Sequence, residues 1–322
     1  MSDPLPPVID VFRAARRLRD VLRPTPLRLS LGLSDAAGAD VWLKCETAQR
    51  TGSFKARGAY NALASLPPDQ RARGVVASSA GNHGLGLAFA GQALGVAVTV
   101  FVPADAPLVK REGIAALGAR VVATEPDYDA AARAAHRFAD ETGAPYVDPC
   151  AGDALLAGQG TVALEVLEEL PQLATVVVPV GGGGLLGGIA AVLRRIAPAV
   201  RIVGAQSVRT NAMARSMAAG RVVDIPHAPT LADGLAGGIT PDGLRVGQAA
   251  LDDIVTVEED DVAGAMAWLR REEGITAEGA GAVAVAALRA GAVRDLRGPV
   301  VAVVSGGNVD GDRLQAVLAA PA

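Results

Sequence analysis

Short apolar runs, each followed by a stretch with helical spacing, recur along most of this chain, and they constrain its fold more than any other feature. Run 74–78 precedes a helical stretch at 81–94, 96–102 precedes 108–117, and 120–123 precedes 128–142. A second series places 174–178 before a helix from about residue 184, and 201–205 before 211–219. Toward the end, 300–304 is a buried-strand candidate and 310–318 a final helix. Ahead of these, 8–22 carries helical periodicity and stops at Pro24, 41–43 is a short strand, and Ser53 is placed to cap a helix running to 63. Such alternation predicts an α/β fold: open, mainly parallel sheets wound by helices, with sites at the carboxyl ends of the strands. At 322 residues the chain is long enough for two lobes, with a boundary expected near 145–149.

The composition narrows the function classes. Net charge is -4 with mixed signs and no basic block, which gives nucleic-acid binding no electrostatic footing. No apolar run approaches the ~18 residues of a membrane span, and the N-terminus lacks the basic and apolar regions of a secretory signal. Cys45 and Cys150 are too few for a disulfide framework and lack metal-ligand spacing. These features predict a soluble, cytoplasmic protein.

Of the 30 basic residues only Lys44, Lys55 and Lys110 are lysines. A lysine retained in an arginine-rich background is a candidate for chemistry that needs a primary amine, such as a Schiff base with an aldehyde. Lys55 closes the run Thr51-Gly52-Ser53-Phe54-Lys55, and an ordinary solvated lysine is the alternative for it. Three turns follow apolar runs. Gly181, Gly182, Gly183 and Gly184 separate a strand from a helix, as a phosphate cradle does or as a plain turn in an alanine-rich protein does. They fit neither the Walker spacing nor the dinucleotide fingerprint. Ser78-Ser79-Ala80-Gly81-Asn82-His83-Gly84 offers side chains and N–H groups to a carboxylate or a ring oxygen, or simply caps a helix. His83 is open to a structural or a chemical role. Ser305-Gly306-Gly307-Asn308 puts a hydroxyl at a strand's carboxyl end.

Together and in this order, from Thr25-Pro26-Leu27 and Leu43-Lys44-Cys45-Glu46 to Ser305-Gly306-Gly307-Asn308, these motifs resemble the fold-type II family of pyridoxal-phosphate enzymes. Gly52-Ser53-Phe54-Lys55-Ala56-Arg57-Gly58-Ala59 looks like the threonine/serine dehydratase and serine racemase branch. The resemblance implies a tryptophan synthase β-like fold with a large cofactor domain from 1–66 and 148–322. A small mobile domain spans 67–147, and a homodimer is implied as well. It implies that Lys55 holds pyridoxal 5'-phosphate by its aldehyde and serves as the catalytic base, and that Phe54 packs by the ring. Asn82 meets the ring hydroxyl, Gly181 to Gly184 bind the phosphate, and Ser305 faces the ring nitrogen. Ser79, Asn82 and His83 receive the substrate carboxylate. A neutral hydroxyl at the ring nitrogen gives a weak electron sink, which suits loss of a β-substituent. The implied reaction takes L-threonine or L-serine to a 2-oxo acid and ammonia. A lyase for another β-substituted amino acid such as 3-hydroxyaspartate, a serine racemase, and a catalytically silent binding protein are the alternatives.

Two departures from the family pattern carry weight. Racemases of the branch have a second serine where this chain has Ala80, and a methyl cannot transfer a proton. Members with a divalent-cation site place a glutamate after the strand equivalent to 201–205 and an aspartate soon after. Here Gln206, Thr210 and Ala212 stand in that stretch, with no carboxylate from 206 to 213, so no divalent site is expected there. A monovalent ion, or a site built elsewhere, stays open. Asp233 and Glu278 also lie in matching stretches, as supporting ion pairs or caps or as catalytic groups. The chain's end soon after Asn308 leads to the expectation of no C-terminal regulatory domain.

Overall fold

The computed structural model describes residues 3–319. Nine strands occur among them: β1 Leu27–Leu29, β2 Val41–Cys45, β3 Val75–Ser78, β4 Val98–Pro103, β5 Arg120–Glu125, β6 Thr175–Pro179, β7 Arg201–Ser207, β8 Asp253–Val257 and β9 Val300–Val304. They form a six-stranded sheet in the order β1-β2-β9-β6-β7-β8 and a three-stranded sheet β3-β4-β5. Only β1 runs antiparallel to its neighbour, β2. The expected mainly parallel α/β architecture is therefore present.

The centre of the large sheet is built from both halves of the sequence, because β9 inserts between β2 and β6. Val300 to Val304 and Thr175 to Pro179 are buried at every position. Helices cover both faces, so these strands are runs of valine rather than alternations. One apolar cluster continues from Val176 and Val301 of the large sheet to Val75, Val98 and Val100 of the small one.

The sequence rhythm corresponds closely to the observed elements, including a helix at Tyr128–Thr142 and a strand at Val300–Val304. It misses strands β1 and β8 and six α-helices, among them two that are buried in the core, Asp153–Glu169 and Gly279–Arg289. Both are buried over most of their length, so they carry no polar stripe to set a period. The first helix ends at Leu18 rather than at residue 22, in a turn where the N–H groups of Val21 and Leu22 bond Leu18 O.

The role expected of Ser53 is corrected. The helix spans Lys55–Ser65 with Phe54 at its cap position, and Ser53 is extended and forms an isolated antiparallel bridge with Gly306. That bridge ties the lysine segment to the turn after β9.

Candidate active site

Three turns leave the carboxyl ends of β3, β6 and β9, where open parallel sheets place their ligands. The segment carrying Lys55 joins them. Phe54 N–H donates to Ser305 O at 3.1 Å, and Gly307 N–H to Gly52 O at 2.9 Å. Lys55 is therefore stitched to the β9 turn on both sides of Ser53. Its Nζ donates to Pro149 O at 2.7 Å and lies 5.1 Å from the centroid of the Phe54 ring.

The Pro149–Cys150 peptide is also the floor of the glycine turn. A Cβ at Gly182 would sit 2.8 Å from Cys150 Sγ, and one at Gly184 would sit 3.0 Å from Cys150 Cα and 3.4 Å from Pro149 O. Gly183 has φ of 99°, a conformation that side-chain-bearing residues rarely adopt. It caps the helix Gly184–Ile196, whose first N–H groups have no partner within the helix. The amine of Lys55 and an anion-binding helix start thus face one stretch of main chain.

Asn82 opens the helix Asn82–Leu94, with Gly81 rather than a side chain at the cap position. Its Nδ2 donates to Glu278 Oε1 at 2.6 Å, and its Oδ1 accepts from Asn308 Nδ2 at 2.6 Å. Asn308 Nδ2 also donates to Thr51 O at 2.7 Å. A Cβ on Gly306 would come within 2.5 Å of Glu278 Oε1 and 3.2 Å of Asn82 Nδ2, so glycine is required for the two turns to meet. Burial pushes the Glu278 carboxyl up to about 7, outweighing the hydrogen bond from Asn82.

The His83 ring is buried, and its Nε2 meets Val147 O at 2.9 Å, which fixes the proton on that nitrogen. Burial, helped by the Lys55 charge, depresses it to about 3, so the ring is neutral. Ser79 Oγ accepts from Gly81 N at 3.3 Å. Asp233 pairs with Arg313 at 3.0 Å and more distantly with Lys110 at 4.0 Å. Glu278, Lys110, Asp233 and Arg313 line a cleft of about 210 Å³. All ten expected site residues thus belong to turns and to the starts of three helices, linked by direct contacts. The Glu278–Asn82 contact, the contacts of Asn308 and the Pro149 carbonyl gave no local signal. They are brought in by pairings between segments 94 to 257 residues apart.

A buried ionic cluster anchors the helix of Lys55 from beneath. Arg57 Nε and Nη2 donate to the Glu46 carboxylate at 2.8 and 2.9 Å, and Nη2 also to Glu165 at 2.9 Å. Lys44 Nζ donates to Glu165 and to Thr25 O, each at 2.7 Å. Burial alone would push the Glu165 carboxyl up; Arg57 and Lys44 hold it below its ordinary value.

The family of pyridoxal-phosphate dependent enzymes matches residues 18–306. The chain belongs to this family. Among its relatives, the L-threonine ammonia-lyase of Thermotoga maritima is 41% identical over 314 residues, 96% of this chain and 77% of that protein. The solved structure of maize serine racemase superposes with a TM-score of 0.93 at 30% identity, covering 97% of this chain and 96% of the other. The processed form of threonine deaminase isoform 2 from Solanum lycopersicum gives 0.91 at 33% identity, covering 97% and 87%. Family membership makes pyridoxal phosphate the cofactor, and the residues present fit it. A lysine amine and a glycine-lined helix start share one wall, and Ser53 Oγ and His83 Nδ1 are buried without a hydrogen-bond partner in the turns beside them.

The stretch at Gln206 fits a cation poorly. The Gln206 side chain is buried and bonded to main chain on all sides, and no set of three or more His, Cys, Asp or Glu side chains among the described residues is grouped to hold a metal. No helix among the described residues is long and apolar enough to cross a membrane.

Proposed function

We propose that this protein is an L-threonine/L-serine ammonia-lyase that produces 2-oxobutanoate or pyruvate with release of ammonia. The observation that carries the reading is the placement of Lys55 Nζ and the glycine turn against the same Pro149–Cys150 peptide, with Ala80 in the neighbouring turn.

Pyridoxal phosphate, when bound, supplies an aldehyde for the amino group and a ring that takes up the electrons of the Cα–H bond. The work of the chain is to hold, orient and move protons. The N–H groups of Gly181 to Gly184, at the start of the helix Gly184–Ile196, would take the phosphate. Ser305, buried at the end of β9, would offer the ring nitrogen a neutral hydroxyl instead of a carboxylate. Phe54 would pack beside the ring, and Asn82, whose side chain is braced by Glu278 and Asn308, would meet the ring hydroxyl.

The substrate carboxylate is received by the Ser79–His83 turn, through the Ser79 hydroxyl and the free N–H groups at the helix start. The neutral, pinned His83 ring shapes this turn without adding charge. Lys55 Nζ removes the Cα proton on its own face. On the face served by Ala80 there is a methyl group, so a proton is not returned with inverted configuration. That asymmetry favours elimination over racemisation.

The same proposal includes the division into 1–66 with 148–322 and a small closing domain at 67–147, supported by the separate three-stranded sheet β3-β4-β5. It also includes a cytoplasmic setting and a homodimer; the exposed Ile9 and Phe12 on the first helix support an interface between copies.

Incubation of the purified holoenzyme with L-threonine, L-serine and 3-hydroxyaspartate, with 2-oxo acid, ammonia and enantiomer ratio recorded, tests the reading. Oxo acid and ammonia in equal amounts from threonine or serine are expected. A D-amino acid as main product, or oxo acid from 3-hydroxyaspartate alone, would replace it.

A further inference from the structure

Gln206 uses every hydrogen-bonding group of its carboxamide inside the protein. Nε2 donates to Val180 O at 2.9 Å and to Thr210 O at 2.8 Å, while Oε1 accepts from Ala214 N at 2.9 Å. The side chain is fully buried, and so is Thr210. Two acceptors and one donor fix the amide's orientation, because a flipped amide would face its N–H groups to an N–H and its oxygen to two carbonyls. The three partners come from three different places: Val180 immediately precedes the tetraglycine, Thr210 ends the turn after β7, and Ala214 lies in the first turn of the helix Ala212–Ala219.

Two carbonyl oxygens converging on one buried point are half of a cation site, since hard cations are held by oxygen ligands. The other half, anionic ligands, is missing, because no carboxylate occurs from 206 to 213. Glu259, which reaches Ser207 from the start of the helix Glu259–Glu272, is already bonded to Ser207 Oγ, Thr230 Oγ1 and Leu231 N. We infer that the Gln206 amide does permanently what an ion would do at this point. It is a positioning residue that clamps the strand end feeding Gly181–Gly184 to the β7 turn, and it makes the phosphate cradle independent of cations. A second contact runs the same way: a Cβ at Gly183 would lie 3.7 Å from Met213 Cε, next to the helix residue that Gln206 bonds.

The consequence is specific. In Gln206→Glu an acceptor oxygen replaces the Nε2 that donates both bonds, so a carboxylate faces two carbonyl oxygens and a cation between them relieves the repulsion. In Gln206→Leu the carbonyls are left unpaired and nothing attracts an ion. Thermal midpoint and rate of pyridoxal-phosphate loss are to be measured on the wild-type holoenzyme and both variants. Each is taken in chelator, then with Mg²⁺, Ca²⁺, Na⁺ or K⁺ added.

The wild type is expected to hold its midpoint within about 1 °C throughout. Gln206→Glu is expected to lose several degrees in chelator, shed cofactor about tenfold faster, and recover most of both with a cation. Gln206→Leu is expected to be weakened without recovery. A wild type whose midpoint or cofactor retention depends on a cation overturns the inference. So does a Gln206→Glu protein that is as stable in chelator as the wild type, or that no ion restores. If neither variant folds, the wild-type ion series decides alone.

Discussion

Asn82 Nδ2 donates a 2.6 Å hydrogen bond to Glu278 Oε1, joining the turn after β3 to the start of the helix Gly279–Arg289 across 196 residues of sequence. The carboxyl group it meets is buried and pushed up to about 7. Near neutrality the pair therefore stands between an Asn–carboxylic acid contact and an Asn–carboxylate contact, beside the Gly306 backbone.

This gives the first prediction. Glu278 in the folded protein keeps its proton to about pH 7, whereas the unfolded chain releases it near pH 4.5. The folded state binds more protons in that window, so stability from this group is fully present below pH 4.5 and is lost as pH rises toward 7. The loss is on the order of 3 kcal/mol. Glu278→Gln should flatten the decline, seen in urea unfolding across the window as a wild-type-minus-variant difference. Parallel pH profiles for the two proteins would refute the buried, protonated carboxyl.

Lys55 gives the second. Lys55→Ala should abolish the visible absorbance of the bound cofactor and lower turnover by at least about a hundredfold. The helix Lys55–Ser65 should remain folded, because its anchor is Arg57 and not Lys55. Turnover that survives with the absorbance gone would remove Lys55 from the chemistry.

Arg57 leads to the third. Its guanidinium is buried between Glu46 and Glu165, and removing one carboxylate leaves an uncompensated charge in the interior. Glu46→Ala should cost about 3–5 kcal/mol in equilibrium unfolding. A loss under about 1 kcal/mol would mean that the cluster is solvated and does not hold the helix.

The parallel sheets, most of the strands and the three turns at strand ends were legible because each rests on local chemistry: valine runs, glycines and helix starts. The rarity of lysine singles out Lys55, but the same rarity says nothing different of Lys44, which is buried in an ion pair with Glu165. A lysine buried for structure and one placed for chemistry look alike in composition; only the partners tell them apart. Ser53 shows the opposite limit. A serine ahead of a helix suggests a cap, yet long-range pairing with Gly306 pulls it into an extended bridge. Glu278 was visible as part of a motif, but its contact with Asn82 and its protonation come from burial, which no local pattern encodes.

The last prediction concerns Ala80, in the half-buried turn between Ser79 and Gly81. If elimination dominates because no side chain on that face carries a proton, then supplying a hydroxyl there should open the other outcome. Ala80→Ser adds one oxygen to a turn that already accommodates the Ser79 hydroxyl, bonded to Gly81 N–H. With L-serine as substrate, the variant should form D-serine at least about tenfold faster than the wild type, the lower end of what a positioned proton donor contributes. Pyruvate formation should fall or hold steady, since protons delivered to Cα divert material from β-elimination. Chiral chromatography of the amino acid alongside a 2-oxo acid assay reads both products in one reaction. An unchanged D-serine rate in a folded, cofactor-loaded Ala80→Ser protein would show that the missing hydroxyl is not what separates the two reactions, and that pocket geometry beyond this turn sets the outcome.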